Sequence, residues 1–229
     1  MGYNFGMDND FALKIQALRN WLGRGSINIF GLPMSGKDTV GVKLAEAING
    51  KFLSSGLIIR AMEAEKGKNL TGEGKLIDTN LFYDWVLPYF SKPELAEFPL
   101  VLSSIGRWKG EEDTVIEKAK AAGHEIKAAI VLNVSEADVT ERFKSVTIIN
   151  DRGNREDDKN LEVFMTRIQE FREKTAPVLL RYRELGLLVE VKGDMDREIV
   201  FSELVEKLYA FSQKKIMDER NLGYGGTFF

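Results

Sequence analysis

Gly31-Leu32-Pro33-Met34-Ser35-Gly36-Lys37-Asp38-Thr39 constrains this chain more than any other stretch. It fits G-x-x-x-x-G-K, with the Ser/Thr that usually follows the lysine displaced by one place. Ser26 to Phe30 ahead of it is rich in β-branched and aromatic residues and reads as a strand. Val40, Leu44 and Ile48 behind it recur at helical spacing. A strand, a tight loop and a helix start, in that order, aim several backbone N–H groups at one point, and the helix dipole adds partial positive charge there. Polyphosphate is the guest that suits such a point. Gly31, Met34, Ser35, Gly36 and Thr39 form the cradle, and Lys37 supplies a mobile charge for the outer phosphates.

The rest of the composition narrows the context. At 229 residues the chain is long enough for one substantial α/β domain with insertions. A formal net charge of −3 gives no basic field for a nucleic acid. The absence of cysteine excludes disulfides, thiolate nucleophiles and cysteine-bound zinc, and fits a reducing compartment. The start carries no charged-then-apolar leader, and no apolar run is long enough to span a bilayer. A cytoplasmic monomer is expected, with no membrane or nucleic-acid partner. The single histidine, His124, follows Gly123 at a helix end, where a cationic cap or a solvated loop residue is expected.

Along the chain, strands alternate with helices. An apolar stripe of Phe11, Ile15, Leu18 and Leu22 gives an amphipathic helix over 9–22. Lys51 to Gly56 is a short strand and turn, Leu57 to Met62 begins a helix, and Asp78-Thr79 opens another that runs to about Phe90. Leu100 to Ser104 and Ala128 to Val134 are apolar runs of the buried parallel kind. Residues 111–122 read as helix, and Ser135 with Asp138 resembles a capping box. The stretch 149–159 is polar and contains glycine; Leu161, Phe164, Ile168 and Phe171 then mark a long helix broken or kinked at Pro177. Leu187 to Val191 is the last strand, and Ile199, Leu204, Leu208 and Phe211 mark the closing helix. The tail around Asn221 to Gly226 lacks periodicity. The expected fold is a three-layer α/β/α domain of the P-loop NTPase type over 26–213, with a parallel sheet of about five strands. Residues 1–25 form an N-terminal helical extension and 214–229 a tail.

The order of these motifs resembles the nucleoside monophosphate kinase family, with adenylate kinase and UMP/CMP kinase as the nearest types, from about Ser26 to Leu208. The family's G-x-P-G-S-G-K-G-T stands here as Gly31 to Thr39. Its S-T-G-D-x-x-R stands as Ser54-Ser55-Gly56-Leu57-Ile58-Ile59-Arg60, its G-K-L-V as Gly74-Lys75-Leu76-Ile77, and its D-G-F-P-R as Ser103-Ser104-Ile105-Gly106-Arg107. Its lid pattern stands as Arg155-Glu156-Asp157-Asp158 followed by Arg167, and Thr175-Ala176-Pro177 matches a further run. The resemblance implies ATP and a nucleoside monophosphate as substrates, with Mg²⁺ carried by ATP. It places the acceptor segment at about 54–90 and a short lid at about 149–159. Arg60 and Arg107 would grip the acceptor phosphate. Ser55, the backbone of Lys75 to Ile77, and Glu111 would surround the acceptor base, Gly106 would also contact the monophosphate, and AMP is the preferred acceptor with a pyrimidine monophosphate the alternative. Arg142 would lie against the donor base. Lys37, Arg107, Arg155 and Arg167 would serve the transferring group, with Arg152 able to fill the place of Arg155. Asp157 and Asp158 would tether the lid.

Three departures from the family pattern carry expectations of their own. Met34 replaces a loop glycine and is strained if its φ is positive. Leu57 replaces a bracing aspartate. Ser103 replaces the strand-end aspartate that orders water around magnesium, while Asp38 is an extra carboxylate beside Lys37; Asp38 and Thr39 are therefore the expected residues around the Mg²⁺ water shell. A nucleotide-binding regulatory module that has lost catalysis is the alternative that Ser103, Leu57 and Met34 favour. A shikimate-like small-molecule kinase on the same loop is opposed by the paired acceptor arginines.

Overall fold

The computed structural model describes residues 5–149 and 160–224. Its five strands are β1 (Ser26–Gly31), β2 (Lys51–Ser54), β3 (Leu100–Ser103), β4 (Ile126–Asn133) and β5 (Leu188–Lys192). All neighbouring pairs are parallel, in the order β2-β3-β1-β4-β5. The described helices are α1 (Phe5–Leu22), α2 (Lys37–Ala47), α3 (Ser55–Lys66), α4 (Thr79–Trp85), α5 (Glu111–Ala121), α6 (Glu136–Ile149), α7 (Leu161–Glu170), α8 (Ala176–Glu184) and α9 (Arg197–Tyr224). This is the expected P-loop NTPase-type architecture, with helices covering both faces of a parallel sheet.

β1 is central, and both of its faces are buried. All six of its residues are buried, and Ile27 lies opposite Val101 on one side and Ala128 on the other. Successive side chains point to opposite faces. Ile27 and Ile29 enter one core with Leu18, Leu44, Leu204 and Leu208 from α1, α2 and α9. Phe30 enters the other core with Leu102, Val115 and Tyr182. Each fully buried side chain of this size contributes about 1.5–3 kcal/mol. β1 sends the chain one way, past β3 to β2, and β4 sends it the other way to β5. A crevice therefore opens at the carboxyl ends of the central strands, where α/β sheets bind ligands.

Several boundaries differ from the sequence expectation. The helix expected from Asp78 to Phe90 stops at Trp85 and continues as 3-10 turns over Leu87–Ser91 and Pro93–Leu95. Pro88, in the first turn of that second piece, has no N–H to extend the α-helix. Pro177 does not break its helix: a π-helical turn, Phe171–Thr175, leads without interruption into α8, and the proline sits in its first turn. There its missing N–H costs little. The closing helix runs past Phe211 to Tyr224, into the stretch expected to be an irregular tail. His124 is not exposed, and it closes α5 only through its backbone, whose N–H donates to the Ala119 carbonyl at 2.8 Å, not through its side chain. It is fully buried, with Nδ1 2.8 Å from the Arg24 carbonyl. Among the described residues, no helix is long and apolar enough to cross a membrane.

Candidate active site

The phosphate loop starts where β1 ends. A Cβ on Gly31 would lie 2.6 Å from Ser35 Oγ, so the chain can double back there only over a glycine. Met34 adopts φ +64°, the left-handed conformation under which a methionine in place of the loop glycine is strained. A non-glycine residue held there costs about 1–2 kcal/mol. The offset is packing: Met34 is 8% exposed and sits in a small core with Leu32, Val139, Phe143, Phe164 and Ile168. Within that core Phe143 of α6 stacks on Phe164 of α7 at 4.4 Å. Arg142 braces the loop from the same side. Its Nη2 donates to the Gly193 carbonyl at 2.7 Å, and its Nη1 reaches the carbonyls of Ser35 and Met34 at 3.3 and 3.4 Å. Gly36 precedes α2 without a side-chain cap, and the N-terminus of α2 carries the partial positive charge that suits an anion.

The loop is a wall between two pockets. The first, a cleft partly open to solvent, is lined at one part by the cations Lys37, Arg60, Arg107 and Arg167, with Asp38 among them. Ile59, Ile77, Phe82 and Trp108 give the same cleft an apolar part. The second pocket is lined by Met34, Ser35, Gly36, Thr39, Arg142 and the turn after β5. The residues expected to serve the acceptor (Ser55, Arg60, Lys75, Ile77, Arg107 and Glu111) are thus gathered in one place. Gly106 is not in that wall; with φ +79° it shapes the turn that delivers Arg107. Asp38 and Thr39, adjacent in sequence, face different pockets. Arg152, Arg155, Asp157 and Asp158 lie outside the described residues.

Arg107 is placed by a buried polar residue that sequence reasoning passed over. Asn28, in the middle of β1, donates from Nδ2 to the Ile105 carbonyl at 2.7 Å and accepts from the Ile105 N–H at 3.2 Å. The only signal was an amide in an otherwise apolar strand, which must find partners when buried. Glu111, at the start of α5, completes the turn. Its Oε2 accepts the N–H groups of Arg107 and Trp108 at 2.8 and 3.0 Å, and its Oε1 accepts the Thr79 hydroxyl at 2.7 Å. Three protein donors thus hold this carboxylate, and burial raises its pKa. Ser55 is similarly committed, donating to the Ser104 carbonyl at 2.8 Å.

Burial pulls the Arg107 guanidinium down to about 10, and the nearby positive charge of Arg167 acts in the same direction. The carboxylates of Glu170, Asp38 and Glu111 oppose the shift. Its Nε is buried with no hydrogen-bond partner. A charged donor in that state is stabilised by an anion.

α7 brings Arg167 to the cleft and is docked on the acceptor segment. Gly74 has φ +80°, and a Cβ there would lie 2.6 Å from the Val163 carbonyl and 3.1 Å from Arg167 Cγ. Glu170, one turn beyond Arg167, accepts the Leu76 N–H at 3.0 Å and pairs with Lys174 at 2.6 Å. Ser103 Oγ donates to Asp38 Oδ1 at 2.5 Å, so the carboxylate of α2 lies at the end of β3.

No protein-family model matches the chain. It is similar to the adenylate kinase of Mycobacterium tuberculosis (strain H37Rv), at 30% identity over 187 residues that cover 79% of this chain and 97% of that protein. The adenylate kinase of Sinorhizobium medicae is 28% identical over 188 residues, with 79% and 97% covered. That of Kosmotoga olearia is 26% identical over 213 residues, with 80% and 98% covered.

Proposed function

The chain belongs to the adenylate kinase family of nucleoside monophosphate kinases, and on that premise we propose that it moves the γ-phosphoryl group of ATP to AMP. The observation that carries this reading is the convergence of Lys37, Arg60, Arg107 and Arg167 on one cleft, with a second pocket across the same phosphate loop. ATP takes the second pocket. Its base lies near Arg142 and the turn after β5, and its phosphates lie along the N–H groups of Gly36 to Thr39 and reach Lys37. AMP takes the cleft, with its phosphate between Arg60 and Arg107 and its base toward Ser55, Ile77 and Glu111. The likeness to adenylate kinases favours AMP over a pyrimidine monophosphate.

The residues suit the chemistry. An oxygen of the acceptor phosphate attacks the γ-phosphorus, the bond from that phosphorus to the β,γ-bridging oxygen breaks, and two diphosphates leave. The attacking oxygen is already anionic, so no general base is required. What is needed is in-line placement and positive charge spread over the transferring group. Lys37 comes from α2, Arg107 from the loop after β3 and Arg167 from α7, so the charge arrives from three directions.

Among the described residues, no three carboxylates or histidines are grouped to hold a metal by themselves. A magnesium ion that enters with ATP would take its ligands from phosphates and water, as that ion commonly does. When bound, it neutralises charge on the phosphates. Asp38 is the carboxylate that fits beside it, held at the end of β3 by Ser103. We assign Asp38 the ordering of that water shell.

The test is a coupled assay with ATP and Mg²⁺ against AMP, UMP, CMP, dCMP and GMP. AMP should be the fastest acceptor. Turnover fastest with another monophosphate overturns the choice of base, and no turnover with any of them overturns the proposed transfer.

A further inference from the structure

The apolar part of the cleft contains a tryptophan whose purpose the transfer chemistry leaves unexplained. Trp108 follows Arg107 directly and lines the cleft with Ile59, Ile77 and Phe82. Three contacts fix it. Its indole Nε1–H donates to the Ile77 carbonyl at 3.1 Å, and its backbone N–H donates to Glu111 Oε2 at 3.0 Å. Lys174 Nζ stands 4.0 Å from the ring centroid, held by its pair with Glu170. Trp108 lines the cleft and Lys174 does not. The cation covers one face of the indole, which leaves the other for a ligand in the cleft that Trp108 lines. A large, half-buried aromatic ring anchored at its edge and over one face offers its other face for stacking. No side-chain rotamer remains to be ordered when a ligand arrives, which removes the usual entropic cost of such a contact.

We propose that Trp108 is the stacking platform for the acceptor base, and that it favours purines because a bicyclic base covers more of the indole than a pyrimidine does. The inference rests on the assignment of the cleft to the acceptor and deepens it. Arg60 and Arg107 take the phosphate without reading the base. Trp108 supplies the surface against which ring size is measured. Lys174, one face removed, holds the ring in place through a cation–π contact.

The experiment is equilibrium binding of AMP, UMP and ATP to the wild type, Trp108→Phe and Trp108→Leu, by calorimetry, with intrinsic fluorescence in parallel. Stacking of a base on an aromatic side chain corresponds to about 5- to 150-fold in affinity. Trp108→Leu should weaken AMP within that range, weaken UMP several-fold less, and leave ATP at the second pocket unchanged. Trp108→Phe keeps a ring but not the N–H, and should recover most of the AMP affinity. AMP should quench a fluorescence component in the wild type that Trp108→Phe lacks, since Trp21 and Trp85 remain in both. AMP affinity within threefold of wild type in Trp108→Leu overturns the proposal. So does equal weakening of AMP, UMP and ATP, which would mark a folding role. Because these are binding measurements, they decide the role of Trp108 even if the wild type transfers no phosphoryl group, a result that would remove only the proposed transfer.

Discussion

Asp38→Asn isolates the charge that stands beside Lys37. The amide keeps the size of the side chain and can still accept the hydrogen bond from Ser103 Oγ, so the contact is retained while the charge is lost. Two unit charges about 4 Å apart at an effective dielectric near 20 interact by about 4 kcal/mol. The cleft is partly open to water, so roughly half of that, about 2 kcal/mol or 30-fold, is the expected effect. Its sign depends on the metal. Against bare ATP the carboxylate repels, and Asp38→Asn should bind ATP about 30-fold more tightly in the presence of a chelator. Against Mg–ATP the carboxylate attracts, and that gain should vanish, flattening the ratio of affinities with and without Mg²⁺. Calorimetric titration of ATP in both conditions reads the ratio without requiring turnover, and the rate as a function of Mg²⁺ concentration reads its consequence. Identical ratios for wild type and variant would refute the assignment of Asp38 to the metal. Ser103→Ala retains the charge and should shift the ratio far less.

Arg107→Ala should lower the rate with AMP on the order of 10³-fold with little change in ATP affinity, and Arg107→Lys should recover only part of it, because an ammonium cannot copy the fork; stopped-flow rates and ATP titrations check both halves. Gly74→Ala places a methyl group 2.6 Å from the Val163 carbonyl at φ +80°, so it should destabilise by about 1–2 kcal/mol or more and raise the AMP KM, as urea denaturation and steady-state kinetics would show. Burial lowers the pKa of His124 below 6.5. The unfolded chain then binds the proton more readily than the folded one, so this contribution to stability is complete above pH 6.5 and is lost as the pH falls through the folded value. Denaturation midpoints between pH 7.5 and 5 should fall in the wild type and fall less in His124→Gln.

The parallel sheet was legible because its strands are short apolar runs separated by helical patterns, and the phosphate loop because its residue types are tied to one backbone shape. The strain at Met34 followed from the loop pattern too, and φ +64° agrees. What relieves that strain was not legible. Leu32, Val139, Phe143, Phe164 and Ile168 are scattered over 137 residues, from 32 to 168, and only the fold brings them together. His124 misled for a related reason: a histidine after a glycine reads as a helix end facing water, whereas its ring lies against the Arg24 carbonyl and Ser26 of β1 donates to the His124 carbonyl. The π-helical turn left no local trace, although it separates α7 with Arg167 from α8 with Pro177. Trp108 and Lys174 lie 66 positions apart, so neither residue announced the other.

The anchoring of Met34 changes what this loop does before any nucleotide arrives. A glycine at that place would leave the backbone more shapes to choose from before a ligand binds. Here a thioether plugged between α6 and α7 makes that choice during folding, so ATP meets a cradle already cast. The same plug makes the cradle a hostage of its ledge: warmth that loosens the Phe143–Phe164 stack dissolves the nucleotide seat along with it, and the two should melt at one temperature.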